Sequence, residues 1–89
     1  MPRVVFAKAF QRHVSCPPAG LEASSLRDLF DSYFALYPVA KSYVLDDTGS
    51  VRKHVAVFVN NEQIADRGDL TCPLANTDEV YVFQALSGG

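Results

Sequence analysis

One segment limits the folds open to this chain more than any other. Within residues 25–37, apolar side chains fall at Leu26, Leu29, Phe30, Tyr33, Phe34 and Tyr37. That spacing puts them on one face of a helix. Ser25, with Asp28 three residues later, has the pattern of a capping box, and Pro38 is the expected stop. A single amphipathic helix has no second helix to bury its stripe against, so it needs a sheet to cover. The chain has 89 residues, 48% of them hydrophobic, which suits one small folded domain with a modest core.

The rest of the sequence supplies the strands. Residues 4–10 are rich in β-branched and aromatic side chains and read as a first strand. Residues 14–16 read as a short second strand, ended by the turn chemistry of Pro17-Pro18-Ala19-Gly20. The two are expected to form a hairpin. After the helix, Asp46-Asp47-Thr48-Gly49-Ser50 is a turn cluster, and no further ligand pattern follows it to suggest a metal loop. Residues 54–59 form an apolar strand, and Asn60-Asn61 is a two-residue hairpin signal leading into Gln63-Ile64. Residues 65–77 are a connection anchored by Leu70 and Leu74, and residues 79–86 are the last strand. The order is strand, strand, helix, strand, short strand, strand. One helix laid across a mixed sheet of four to five strands is an α+β arrangement, the β-grasp or ubiquitin-like fold. A crossover through the helix between strands two and three is expected to join parallel neighbours. The domain is expected to occupy residues 1–85, with residues 86–89 as a flexible tail.

Composition removes several function classes. The net charge is −2, and the eight basic residues are scattered without a stripe, so nucleic acid is not an expected partner. No apolar run approaches the length of a membrane span. Met1-Pro2-Arg3 leads straight into a strand pattern and leaves no apolar core for a signal peptide, so a cytoplasmic protein is expected. The free chain is expected to be a monomer. Cys16 and Cys72 are too few for an iron–sulfur cluster. A zinc site would need His13 or His54 to converge with both, without support from spacing. Two free, half-buried thiols are the expectation, and a disulfide or redox role is the other reading. Ser15, His13 and His54 form no recognisable triad.

Strand alternation raises a question about the face that the helix does not cover. In the last strand Val80 and Val82 form one set, and Tyr81 and Phe83 the other. In the strand before Asn60, Val55, Val57 and Val59 form one set, and Ala56 and Phe58 the other. Either set can face the helix. The β-branched valines suit the packed interior, which places Phe58, Tyr81 and Phe83 on the opposite face. If the two strands are neighbours, these aromatics make a contiguous exposed patch, the usual mark of a partner site.

The sequence closes on Gly88-Gly89, directly after that last strand. Without Cβ atoms, two glycines thread a narrow channel and present an unhindered carboxylate on a thin tether. From the dipeptide alone, a frayed end is the other reading.

These residues resemble the ubiquitin-like sulfur carriers of the MoaD/ThiS type. That family includes the molybdopterin-synthase small subunit, the thiamine sulfur carrier and the cysteine-biosynthesis sulfur carrier. Val55 to Glu62 resembles its apolar strand and turn, and Leu70 and Leu74 its spaced leucines. Asn76-Thr77-Asp78-Glu79-Val80 resembles the entry to its final strand, and Ala85-Leu86-Ser87-Gly88-Gly89 its Ala-Val-Ala-Gly-Gly end. Gln84 stands where several relatives carry Pro, and Ser87 where many carry Ala. In length the chain is more like the cysteine and molybdopterin types than the thiamine type. The resemblance implies a carrier, not an enzyme. An E1-like adenylating enzyme would activate the Gly89 carboxylate with ATP, and sulfur from a donor would replace AMP to leave a thiocarboxylate for a sulfur-accepting biosynthetic enzyme. Gly88 and Gly89 would carry the chemistry, and Phe58, Tyr81, Phe83, Leu86 and Ser87 would meet the partners. No cofactor would be held stably by the chain itself. The same terminus also serves a small subunit of molybdopterin synthase, or a modifier conjugated to lysines through Gly89.

Overall fold

The computed structural model of the chain describes residues 1–84. Ser25 caps the main helix, as its side-chain oxygen accepts from the Asp28 backbone N–H at 3.1 Å. The capping box is incomplete, because the Asp28 carboxylate accepts from the Ser24 hydroxyl at 2.9 Å. The next two free donors of the helix are met by a distant loop. Leu26 N–H bonds the Cys72 carbonyl and Arg27 N–H the Leu70 carbonyl, both at 2.9 Å. Satisfying these otherwise orphaned groups fixes the loop against the helix start. The stripe lands as expected, with Leu26, Leu29, Phe30, Tyr33 and Phe34 all buried.

The elements are β1 (Arg3–Phe6), α1 (Lys8–Gln11), β2 (Ala19–Gly20), α2 (Leu26–Leu36), α3 (Pro38–Val44), β3 (Val55–Val59), β4 (Glu62–Gln63) and β5 (Glu79–Gln84). They make a five-stranded mixed sheet in the order β2-β1-β5-β3-β4. Among the described residues, only β1 and β5 pair in parallel. The arrangement is the expected β-grasp, with α2 packed on the face that carries Val4, Phe6, Val55, Val57, Val80 and Val82.

The structure corrects four local expectations. The first strand stops at Phe6 instead of running to residue 10. The chain then curls into α1, which brings the Phe10 ring to 6.0 Å from Phe6, whereas a strand would hold them far apart. The second strand is Ala19–Gly20, not residues 14–16. Prolines have no N–H for a ladder, so pairing with β1 begins after Pro17-Pro18, while Cys16 drops into the core. The strands before and after the helix are not neighbours, because β1 and β5 lie between them. Pro38 starts a helix as well as ending one. It occupies the first turn of α3, where a missing N–H costs nothing, and α3 buries Ala40 and Val44.

Two turns read from sequence hold in detail. Asn60 and Asn61 have φ of 51° and 72°, the left-handed pair that a tight hairpin needs. In the aspartate cluster, Asp46 accepts from Thr48 N–H, the Thr48 hydroxyl and Ser50 N–H, with Gly49 at φ 84°. Leu70 is buried, and Leu74 packs at the edge of the core.

Candidate functional site

The alternation of β3 and β5 decides which side chains face away from the helices. The two strands are antiparallel neighbours, with Val57 opposite Val82, Phe58 opposite Tyr81 and Ala56 opposite Phe83. Val55, Val57, Val80 and Val82 are buried under α2. Phe58 and Tyr81 are therefore half-exposed on the outer face, and Phe83 is 41% exposed. The rings touch. Phe83 stands edge-on to Phe58 at 5.6 Å between centroids and stacks beside Tyr81 at 6.1 Å. With Asn61 they line a shallow, open hollow of about 300 Å³.

The three aromatics named from sequence thus come together on one face. Leu86, Ser87, Gly88 and Gly89 lie outside the described residues, as does the boundary proposed at residue 85. Gln84, the last described position, pairs with Val55, so the patch ends one residue before the Gly-Gly-bearing segment.

Two neighbours of the patch escaped the sequence reading. Val5 is opposite Tyr81 across the parallel β1–β5 pair and shares its outward parity. The alternation within Val4-Val5-Phe6 held that signal, but only the β1–β5 pairing shows where Val5 belongs. Asn61 enters through the tightness of its own turn.

Polar detail frames the apolar centre. The Tyr81 hydroxyl donates to Glu79 Oε1 at 3.1 Å, and this bond to a carboxylate pushes the phenol above its ordinary range. The cysteines are both free. Burial raises the thiol of Cys16, and it also raises Cys72, with a further push from the carboxylates of Asp78, Glu62 and Asp66. Raised thiols are poor nucleophiles at neutral pH. Buried Tyr33 donates to the Pro17 carbonyl at 2.7 Å, and its desolvated hydroxyl titrates far above the usual range. What the outer face offers is contact area rather than acid–base chemistry.

The sequence pattern of the ThiS family matches residues 19–89, which takes in α2, α3, the strands β2 to β5 and the terminal glycines. The chain belongs to the ThiS family. Members of this family are small ubiquitin-fold carriers and are not themselves enzymes. Solved structures show the same fold at low identity. CysO of Amycolatopsis orientalis, determined in a complex with BexX, superposes with a TM-score of 0.82 over 100% of both chains at 16% identity. SAMP1 of Haloferax volcanii gives 0.80 at 22% identity, covering 99% of this chain and 98% of its own. CysO of Mycobacterium tuberculosis gives 0.80 at 19% identity, covering 97% of this chain and 100% of its own. No curated protein gives a match to the sequence. Among the described residues of this ThiS-family chain, no helix is long and apolar enough to cross a membrane.

Proposed function

We propose that this chain is a cytoplasmic sulfur carrier whose Gly89 carboxylate is the working group. The observation that carries the reading is an aromatic face built on β5, in a ThiS-family chain whose β5 leads within five residues to Gly88-Gly89. A carboxylate is a poor electrophile because its charge is delocalised. In an E1-like adenylating enzyme, Gly89 would attack the α-phosphate of ATP, expelling pyrophosphate and forming an acyl adenylate. Sulfide would then displace AMP, leaving a C-terminal thiocarboxylate. A persulfide donor would supply the same sulfur once a thiol had reduced its S–S bond. The thiocarboxylate is ionised at neutral pH and is a soft nucleophile towards the substrate of a sulfur-accepting biosynthetic enzyme. The chain holds neither ATP nor the sulfur donor. It contributes the terminus, a thin tether, and Phe58, Tyr81 and Phe83 as a docking face, with Leu86 and Ser87 following the tail into the partner.

The tether has the reach. The four residues from Leu86 to Gly89 span roughly 13–14 Å when extended, so the terminus enters a partner's site while the folded body stays outside. The test is incubation with the adenylating enzyme, ATP and sulfide, followed by intact-mass and C-terminal peptide analysis. One oxygen of Gly89 should be replaced by sulfur. Deleting Gly89 should abolish loading without changing the melting temperature. Equal loading of the deleted and intact chains would end the carrier reading. The likeness to SAMP1, a small archaeal modifier protein, supports a second reading in which Gly89 is joined to lysines. Covalent high-mass conjugates in cells would select it, whereas co-purification with a molybdopterin-synthase large subunit would make the chain a synthase subunit.

A further inference from the structure

Charge is not scattered in the folded molecule as it is in the sequence. Two separate segments bring cations to the end of the sheet where β5 finishes. Ala7 N–H bonds the Val82 carbonyl, which sets Lys8 and Arg12 of the α1 region at this end. Val55 pairs with Gln84, which sets Arg52, Lys53 and His54 there too. Phe10, His13, Tyr43, Arg52, His54 and Gln84 line one depression, His13 is stacked on Tyr43 at 6.3 Å, and no carboxylate lines that depression among the described residues. Lys8, Arg12, His13, Lys53 and His54 are all exposed.

The acids gather elsewhere. Glu62, Asp78 and Glu79 surround the Asn60-Asn61 turn at the opposite end of β5. Glu22, Asp28 and Asp31 flank the start of α2. Asp66 and Asp69 lie in the loop whose carbonyls bond Arg27, and Asp47 adjoins Asp46 in the turn before β3. Asp46 is close enough to Arg52 to feel its charge. Its carboxyl is held low first by the Thr48 hydroxyl, then by backbone bonds from Thr48 and Ser50, and last by Arg52.

We infer that this basic end, a collar around the Gln84 end of β5, docks on an acidic protein surface that rims the adenylating enzyme's channel. The inference rests on the carrier reading given above. Its logic is charge complementarity. The molecule is net negative at −2, so attraction governed by net charge would repel an acidic partner. A local collar instead draws the tail, first, towards a negative rim, and such steering acts on encounter more than on chemistry. The aromatic face then supplies the adhesive contact on the neighbouring side.

Salt gives the two mechanisms opposite signs. The Debye length shrinks from about 30 Å at 0.01 M to about 8 Å at 0.15 M ionic strength. Over that range the KM of the adenylating enzyme for the intact chain should rise about tenfold, with kcat unchanged. The triple variant Lys8→Glu, Arg12→Glu, Lys53→Glu should start from the higher KM and lose the rise. Circular dichroism should show the same fold. If charge reversal unfolds it, Lys8→Gln, Arg12→Gln, Lys53→Gln should give the same flattening to a smaller degree. A KM that is flat or falls with salt in the intact chain overturns the collar, as does an unchanged KM in a folded variant. Those outcomes leave the carrier reading standing, because sulfur is still loaded. An intact chain that is never loaded removes both.

Discussion

Replacing Phe83 with alanine separates docking from folding. Phe83 is 41% exposed in the free chain. A Phe presents roughly 200 Å² when fully uncovered, so about 80 Å² remains for a partner to cover. At about 25 cal/mol per Å² that area is worth about 2 kcal/mol. At 1.4 kcal/mol per decade this corresponds to a loss of roughly ten- to thirtyfold in affinity. The folded state loses less. Phe83 faces away from the core, and its main intramolecular partner is the edge-on Phe58 ring at 5.6 Å. Such a pair contributes about 0.5–1.5 kcal/mol. Phe30→Ala makes the contrast, because that ring is buried under the sheet and packs on Phe34 at 5.3 Å. Its loss should cost about 3–5 kcal/mol of stability. Isothermal titration against the adenylating enzyme, with urea unfolding of each free variant, measures both quantities. A Phe83→Ala chain as unstable as Phe30→Ala, yet binding normally once folded, would refute the argument from strand parity.

Two further outcomes follow from the polar groups. The Cys16→Ser, Cys72→Ala double variant should still accept sulfur, because both thiols are raised and the proposed working group is Gly89. A folded double variant that fails to load, read by intact mass, would point to a side-chain persulfide instead. Asp66 is held well below the usual carboxylate range, first by the backbone and side chain of Thr71 and then by the N–H groups of Asp69 and Gly68. A depressed folded-state value stabilises the protein above the unfolded value of about 3.9 and is lost as pH falls below it. The urea midpoint should therefore drop on acidification below about pH 4, and Asp66→Asn should show a lower midpoint at neutral pH with a shallower acid fall. An identical acid limb in the variant would show that the loop holds without these bonds.

The sequence was most informative where a local pattern had one physical solution. The stripe from Leu26 to Phe34 could only bury itself on a sheet, and Asn60-Asn61 could only supply a left-handed pair. The alternation in β3 and β5 located Phe58, Tyr81 and Phe83, given that the two strands pair. Pairing itself was not local. That β5 inserts between β1 and β3 depends on contacts between opposite ends of the chain, so Val5 was missed and the helix crossover was assigned to the wrong neighbours. The second half of the first strand failed for a related reason. Ala7 to Phe10 has strand-like composition, but packing Phe10 against Phe6 overrode that propensity. Residues 38–44 are short and open on Pro38, so α3 owes its existence to burial of Ala40 and Val44 rather than to a long period. The basic collar was invisible because its cations come from two segments that only the folded sheet brings together.

The central place of β5 has a consequence for synthesis. Until Glu79 to Gln84 is made, β2-β1 and β3-β4 are two separate ribbons with no hydrogen bond between them. A ribbon of two strands is at best marginally stable in water. The apolar stripe of α2 has no closed surface to rest on, and Phe58 has no ring beside it. A nascent chain stopped anywhere before Glu79 therefore offers neither a finished core nor an aromatic face. A partner that recognises the face would therefore also be checking that translation has passed β5.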